Sequence, residues 1–359
     1  MGLVVVIVVL GALLTIFGGR VKVPVFRTND KGEQERVFTT NAQGDQEPVL
    51  REVNKFLNAK TLTQLAKDTS FIAIMAVGAT IVIISGGIDL SVGAIYALAS
   101  VLGAIFFNRY GPDGAHATES ISAIAAGMIL CVAAGTLCGM INGGLLVALR
   151  VHPFIITLGT MTIFRGIAFV ITNGQSVGSF PAGFRDLIRW EPKGLSVVPL
   201  IVMVVIAILG GIFLRRLAAG RRVYAVGGNE LASRYSGIRV ERVKFGVFLI
   251  SGLAAGISAL LAIGYYGAAT SGDGRGYELN VIAAAVVGGA SLSGGKGSAL
   301  GALLGALIIQ IITTGIVILG IDQNYSDIII GSVVIVAVVL DQLNNWLSKR
   351  RLAIRAGLH

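Results

Sequence analysis

Apolar runs of roughly bilayer length recur along this chain, at about 2–18, 66–86, 88–107, 120–149, 153–173, 195–214, 245–267, 279–292, 298–320 and 326–346. A hydrocarbon core needs about 20 apolar residues per helix. Only helices and closed barrels satisfy their own backbone groups there. The pattern predicts an all-α polytopic membrane protein of about ten transmembrane helices. The eighth run is short, and 120–149 is long enough to be tilted or broken. Only 13% of residues are charged, against about 25% in soluble domains. A net charge of +10 would suggest nucleic acid in a soluble protein. Here Lys and Arg gather in loops, as on a cytoplasmic membrane face, so no nucleic-acid partner is expected. Cys131 and Cys138 share one apolar span and read as packing residues, with no disulfide or metal-ligand framework.

Orientation follows from two basic segments. One is 215–244, with Arg215, Arg216, Arg221, Arg222, Arg234, Arg239, Arg242 and Lys244. The other is the tail, with Lys349, Arg350, Arg351 and Arg355. About ten spans put both termini on that side, which is expected to be cytoplasmic. The loop 19–60 carries a nearly equal Lys and Arg total, but the density close to the spans favours this orientation. In that external insertion Val21–Phe26 and Glu35–Thr39 flank Asn29-Asp30-Lys31-Gly32, the pattern of a β-hairpin, with a mobile external loop as the alternative. Pro24 confines the first strand to an edge.

Between two apolar runs lies Ser85-Gly86-Gly87-Ile88-Asp89-Leu90-Ser91-Val92-Gly93. The glycines predict a helix break, and an ionisable group at that depth marks a pathway or a site. Asp89 either lines a path or caps a helix beginning at Leu90. Gly288-Gly289-Ala290-Ser291-Leu292-Ser293-Gly294-Gly295 echoes this segment. Matching Gly-interrupted segments point to a central binding site. Gly294-Gly295-Lys296-Gly297-Ser298 imitates a phosphate loop, but Ala290 and Gly297 occupy the positions that need Gly and Ser or Thr. The chain is therefore expected to hold no ATP site and no cofactor.

In the loop 215–244, Asn229 suits an N-cap, Glu230 a first helical turn and Gly237 a stop. Leu231 and Tyr235 are four apart, and Ile238 follows the stop. So short a helix needs a surface, either its own membrane domain or a cytoplasmic partner.

The chain resembles the permease subunits of bacterial sugar ABC importers of the ribose/xylose/galactose type. The resemblance covers about 53–346. It rests on Ile84–Gly93, Asn142-Gly143, Pro153–Met161, Arg165-Gly166, Thr172-Asn173-Gly174, Gly227–Ile238, Gly276–Leu279 and Ile282–Gly289. It implies a single transmembrane permease domain over 1–359 and a bacterial inner-membrane location. It also implies a monosaccharide substrate, a second permease copy or homologue, an external solute-binding protein and a cytoplasmic ATP-binding subunit that consumes the ATP. Asn229, Glu230, Leu231, Tyr235, Gly237 and Ile238 would form the helix that couples to that ATPase. The insertion at 20–50 departs from the family pattern.

Candidate residues along the substrate path are Asp89, Ser91, Asn142, Thr157, Thr160, Arg165, Asn173 and Gln310. Such polar groups equally serve to join membrane helices. Arg165 needs a partner, with Asp89 or a helix C-terminus expected; Glu278 is expected at a solvated membrane edge. Amino-acid uptake is the alternative within the class. An ion-coupled carrier using Asp89 is the alternative outside it. An intramembrane enzyme is disfavoured, because none of His116, His152 and His359 is central in a span.

Overall fold

Each predicted apolar run is met by a helix. The structure, a computed structural model, describes residues 2–28, 34–40, 45–117, 120–336 and 338–339. Seven helices are long and apolar enough to cross a membrane: α2 (Ala59–Ile84), α3 (Val92–Tyr110), α4 (Ile121–Leu149), α5 (Pro153–Thr172), α7 (Val197–Arg216), α10 (Val240–Tyr266) and α12 (Ala299–Ile318). Three shorter apolar helices complete the set: α1 (Gly2–Phe17), α11 (Tyr277–Val287) and α13 (Gln323–Val336). Short helices α6 (Ala182–Ile188), α8 (Ala218–Gly228) and α9 (Glu230–Tyr235) lie in the connections. The rest of the last predicted span and the basic tail with Lys349, Arg350, Arg351 and Arg355 lie outside the described residues. α4 is one continuous helix, so the break allowed for 120–149 is absent.

α2 is the central post, packed by α7, α10, α11 and α12. The most intimate contact joins α4 to α10. Gly135, Gly139 and Gly143 recur every four residues on α4, and Gly252 and Gly256 do so on α10. A Cβ at Gly135 would lie 2.6 Å from the Gly252 carbonyl oxygen, and one at Gly139 would lie 2.4 Å from that of Phe248. Small residues let membrane helices approach to backbone contact, where dispersion has to replace the missing hydrophobic drive. Cys131 and Cys138 are buried and free in this core, as the packing reading expects.

The two echoed segments end their helices alike. Gly86 N–H donates to the Ile83 carbonyl and Gly87 N–H to that of Val82; Gly289 N–H donates to Val286 and Ala290 N–H to Ala285. Gly86 (φ 84°) and Gly289 (φ 93°) supply the left-handed residue that such a stop requires. The structural correspondence is Gly86 to Gly289, one residue off the sequence match. The two breaks touch, because Gly295 N–H donates to the Ile84 carbonyl at 2.8 Å. α2 therefore runs from the insertion at its start to the α8–α9 region beside its end, and these two features occupy opposite ends of the bundle.

The insertion departs from the single expected hairpin. β1 (Arg20–Pro24) pairs antiparallel with β6 (Leu50–Asn54), β2 (Phe26–Thr28) with β3 (Gln34–Arg36), and β4 (Phe38–Thr40) with β5 (Gln46–Pro48). The expected turn Asn29–Gly32 lies outside the described residues. Val25 N–H donates to the Val49 carbonyl, Val37 N–H to Val25, and Val49 N–H to Val37. This ring of backbone bonds joins three two-stranded ribbons with threefold character. Every strand is an edge, so Pro24 at the end of β1 removes no interior ladder bond. A last small pair, β7 (Val177–Gly178) with β8 (Ala268–Ala269), ties two loops at the insertion end.

Candidate functional site

The helix break at 85–91 carries a buried polar network. Asp89 Oδ1 accepts from Ser91 N (3.0 Å) and Ser91 Oγ (2.6 Å), and Oδ2 accepts from Ser251 Oγ on α10 (2.7 Å). Asn142 Nδ2 on α4 donates to Ser91 Oγ at 2.7 Å. Thr157 Oγ1 on α5 donates to the Ile88 carbonyl at 3.2 Å. Asp89, Ser91, Asn142 and Thr157 are thus brought together, with Ser251 as a member that the sequence did not single out. Asp89 is 2% exposed. It satisfies the backbone N–H just ahead of α3, which begins at Val92 and not at Leu90. It also cross-links α3 to α10.

The other candidates separate from this network. Thr160 Oγ1 donates within its own helix to the Ile156 carbonyl. Asn173 is the left-handed C-cap of α5 and is exposed. Gln310 is half-buried on α12, which packs chiefly on α1, α2, α7 and α11. None of these three joins Asp89 in the structure.

Arg165 has partners other than those expected. Its Nη1 donates to the carbonyls of Ser271 (3.1 Å) and Asp273 (3.2 Å), and its Nη2 to that of Gly274 (3.4 Å). The loop 267–276 folds back from the end of α10 toward the start of α3. A Cβ at Gly274 would lie 2.8 Å from both the Gly93 carbonyl oxygen and the Tyr96 ring. α11 then begins inside the bundle, and its 11 residues rise only about 16 Å. Irregular backbone at this depth needs donors from protein, and the guanidinium fork supplies them. Neither Asp89 nor a helix C-terminus is needed. Glu278, expected at a solvated edge, is instead half-buried: Oε1 accepts from Gly276 N, and Oε2 is buried beside Gly93 without a hydrogen-bond partner. Arg165→Met is expected to cost about 2–5 kcal/mol by stranding these carbonyls. Lys at 165 recovers part of that, since one ammonium cannot match the fork. Melting of the purified protein in detergent checks both variants.

A second buried charge stands nearer the insertion end. Lys67, on α2, is 2% exposed; its Nζ lies 3.2 Å from Asp68 and 3.9 Å from the centroid of the Tyr265 ring. Tyr266 and Gln64 both donate to the Asp68 carboxylate. The pair ties α2 to α10, and in the sequence it stands at the opening of an apolar run, where charges ordinarily mark only a membrane edge.

At the opposite end, α9 is capped by Asn229, whose Oδ1 accepts from Ala232 N at 2.9 Å. Glu230 pairs with Lys244 (2.7 Å) and Arg234 (3.2 Å), and Arg234 also pairs with Glu241. The hydrogen bond from Lys244 holds the Glu230 carboxyl below its ordinary range. Gly237 (φ 79°) stops the helix and Ile238 is half-buried. Leu231 (61% exposed) and Tyr235 (82% exposed) point away from the rest of the chain. Exposed ion pairs tie the helix to α10, while its apolar side is left uncovered by its own domain.

Comparison with known proteins gives this arrangement its context. The family model described as branched-chain amino acid transport system / permease component matches residues 61–338. The ribose import permease protein RbsC of Escherichia coli (strain K12) is 37% identical over 290 residues, covering 80% of this chain and 87% of that one. The D-allose transport system permease protein AlsC of the same strain is 37% identical over 288 residues, 80% of this chain and 85% of that one. The autoinducer 2 import system permease protein LsrD of Yersinia enterocolitica is 33% identical over 311 residues, 83% of this chain and 90% of that one. No solved structure matches the chain. The family match begins just after the ribbon insertion and takes in the helix break, the Arg165 loop and α9. This chain, a multi-pass membrane protein and a transporter component, belongs to the permease family described as branched-chain amino acid transport system / permease component.

Proposed function

We propose that the chain is the permease subunit of an ATP-driven importer of a neutral monosaccharide, powered by a separate cytoplasmic ATPase. In this reading it sits in a bacterial inner membrane beside a second permease copy or homologue. An external solute-binding protein delivers the sugar. The α9 end and both termini face the cytoplasm.

The observation that carries the reading is α9. An isolated helix of six residues is marginal in water, yet this one is ion-paired into place with Leu231 and Tyr235 outward. That is the form of a docking knob. The segment that imitates a phosphate loop is otherwise engaged: Gly295 N–H is bonded to Ile84, and Ser298 caps α12. This supports ATP hydrolysis by a partner. Among the described residues, the buried Lys67 is engaged by Asp68 and Tyr265, and the half-buried Arg165 by three carbonyls. An amino acid's carboxylate would find neither free, which favours a neutral solute over the amino acid of the family description. The ribose and allose relatives favour the same class.

Proteoliposomes holding the complete importer test the reading. ATP-dependent uptake of D-ribose or D-allose is expected. Uptake driven by an imposed ion gradient without ATP would overturn it. Tyr235→Ala should weaken ATPase binding about 30-fold, the loss of one interface anchor of about 2 kcal/mol. Glu230→Ala should uncouple hydrolysis from uptake by loosening the anchor on Lys244, while leaving the membrane domain folded. ATPase pull-down and ATP consumed per sugar measure the two effects.

A further inference from the structure

A cavity of about 290 Å³ opens at the end of the bundle opposite α9, lined by Tyr96, Tyr266, Thr270, Asp273, Gly274 and Tyr277. We infer that this cavity holds the ring of a neutral sugar on its way through the permease, an inference that rests on the monosaccharide function proposed above.

The cavity falls just below the usual ligand-pocket range of about 300 to 1,000 Å³, so it has room for one ring at most. Its chemistry combines what a polyhydroxylated ring needs: aromatic faces for the C–H side, and donors and acceptors for the hydroxyls. Tyr96 is only 4% exposed, and its ring centroid lies 5.4 Å from that of Tyr277. Among the described residues neither the Tyr96 nor the Tyr277 hydroxyl has a hydrogen-bond partner. A buried tyrosine hydroxyl ordinarily has one. Here the Tyr96 side chain faces the cavity instead.

The acceptor is positioned by its own loop. Thr270 donates to the Asp273 carboxylate through both its N–H (2.9 Å) and its hydroxyl (2.7 Å). A carboxylate has lone pairs beyond these two bonds for a ligand hydroxyl. A cage of tyrosines with one carboxylate would also suit an ammonium group. The charge behind the wall argues against that occupant. Arg165 lies within hydrogen-bond distance of the Ser271, Asp273 and Gly274 carbonyls and offsets the Asp273 charge. The same arginine fixes the cavity wall, and with Lys67 beside the Tyr266 ring it sets two cations against Asp273 and the Asp68 carboxylate that Tyr266 bonds.

The test uses the whole importer. Tyr96→Phe and Tyr277→Phe keep the rings and remove only the hydroxyls. Each is expected to lower D-ribose or D-allose uptake two- to tenfold, the range for one hydrogen bond. Size-exclusion recovery of the assembled complex, compared with that of the parent, separates a loss of transport from a loss of folding. Unchanged uptake in both variants, in complexes where the parent protein transports normally, overturns the inference and leaves the rings as packing. A second measurement does not depend on transport. Cys131 and Cys138 are buried, so Ala268→Cys, at a lining position that makes none of these side-chain bonds, presents one accessible thiol at the cavity. Millimolar D-ribose or D-allose should slow its alkylation several-fold, while choline should not. If the unmodified importer takes up neither sugar, the monosaccharide function fails and this protection assay alone judges the cavity. Protection by choline only, or by no probe, overturns the inference.

Discussion

Gly252→Val should abolish recovery of folded protein, whereas Gly144→Ala, on the facing helix, should be tolerated. At 252 even the Cβ would lie 2.4 Å from the Gly135 carbonyl oxygen and 2.7 Å from the Gly139 Cα. Carbon contacts are optimal at about 3.5–4.0 Å. Both opposing atoms are backbone, so no rotamer change relieves the clash, and α4 and α10 must separate by an ångström or more along their whole seam. Separation also pulls Ser251 away from Asp89 and Cys131 away from Gly256, which it meets on the same seam. The expected cost is above about 4–5 kcal/mol, the range reserved for core disruption. Gly144 has open space where its Cβ would be. Replacing a mid-helix glycine there by alanine removes backbone entropy from the unfolded chain and should be neutral or stabilising by up to about 1 kcal/mol. Size-exclusion profiles of detergent extracts distinguish the two variants. A monodisperse Gly252→Val peak of normal height would show that the α4–α10 seam does not govern the fold.

That seam marks how far the sequence could be read. The spans were legible because the bilayer leaves a chain few choices, and each apolar run became a helix. The two Gly-rich breaks were legible for the same reason. The period of four in Gly135, Gly139, Gly143 and in Gly252, Gly256 was equally present, but spacing does not say which helix answers which. The ribbon insertion holds a clearer missed signal. Pro24-Val25-Phe26-Arg27-Thr28-Asn29 and Arg36-Val37-Phe38-Thr39-Thr40-Asn41 repeat at a spacing of twelve, and Val49-Leu50 continues it. The three valines so related are those whose backbone groups close the ring. A search for internal repeats would have replaced the single hairpin by three ribbons.

The site was legible by composition and not by geometry. Asp89, Ser91, Asn142 and Thr157 each stand out as polar groups in apolar sequence, and they meet. Arg165 stands out too, but its partners are backbone carbonyls of a loop that reads only as Thr270-Ser271-Gly272-Asp273-Gly274-Arg275-Gly276. No side-chain pattern announces a carbonyl cradle. The depth of that loop is set by its contact with Gly93 and Tyr96, which is tertiary information. Glu278 departs from the expected membrane edge for the same reason, since it lies in the first turn of the half-length α11 inside the bundle. Asn173 is a polar residue beside a span, but its left-handed backbone (φ 50°) makes it a helix stop.

Asp89→Ala should lose most of the folded protein, and Asp89→Asn should lose much less. The carboxylate accepts three hydrogen bonds, two from Ser91 and one from Ser251. Alanine leaves those donors buried in a region that water does not reach. At about 1–3 kcal/mol for each stranded group, the sum is about 3–6 kcal/mol after some hydroxyl reorientation. Asparagine keeps one carbonyl oxygen for Ser91, and the Ser251 hydroxyl can rotate to accept from the new amide. The expected cost of that change is about 1–2 kcal/mol. Arg165 is engaged elsewhere, so neither variant unmasks a lone cation. An ion-coupled carrier predicts the contrary pattern: Asp89→Asn would fold normally and lose all uptake, because an amide cannot take up a proton. Melting temperature and ATP-dependent uptake measured on the same preparations separate the two. Uptake that falls only in proportion to folded protein assigns Asp89 to holding the break between α2 and α3 in register with α10, and removes it from the chemistry of transport.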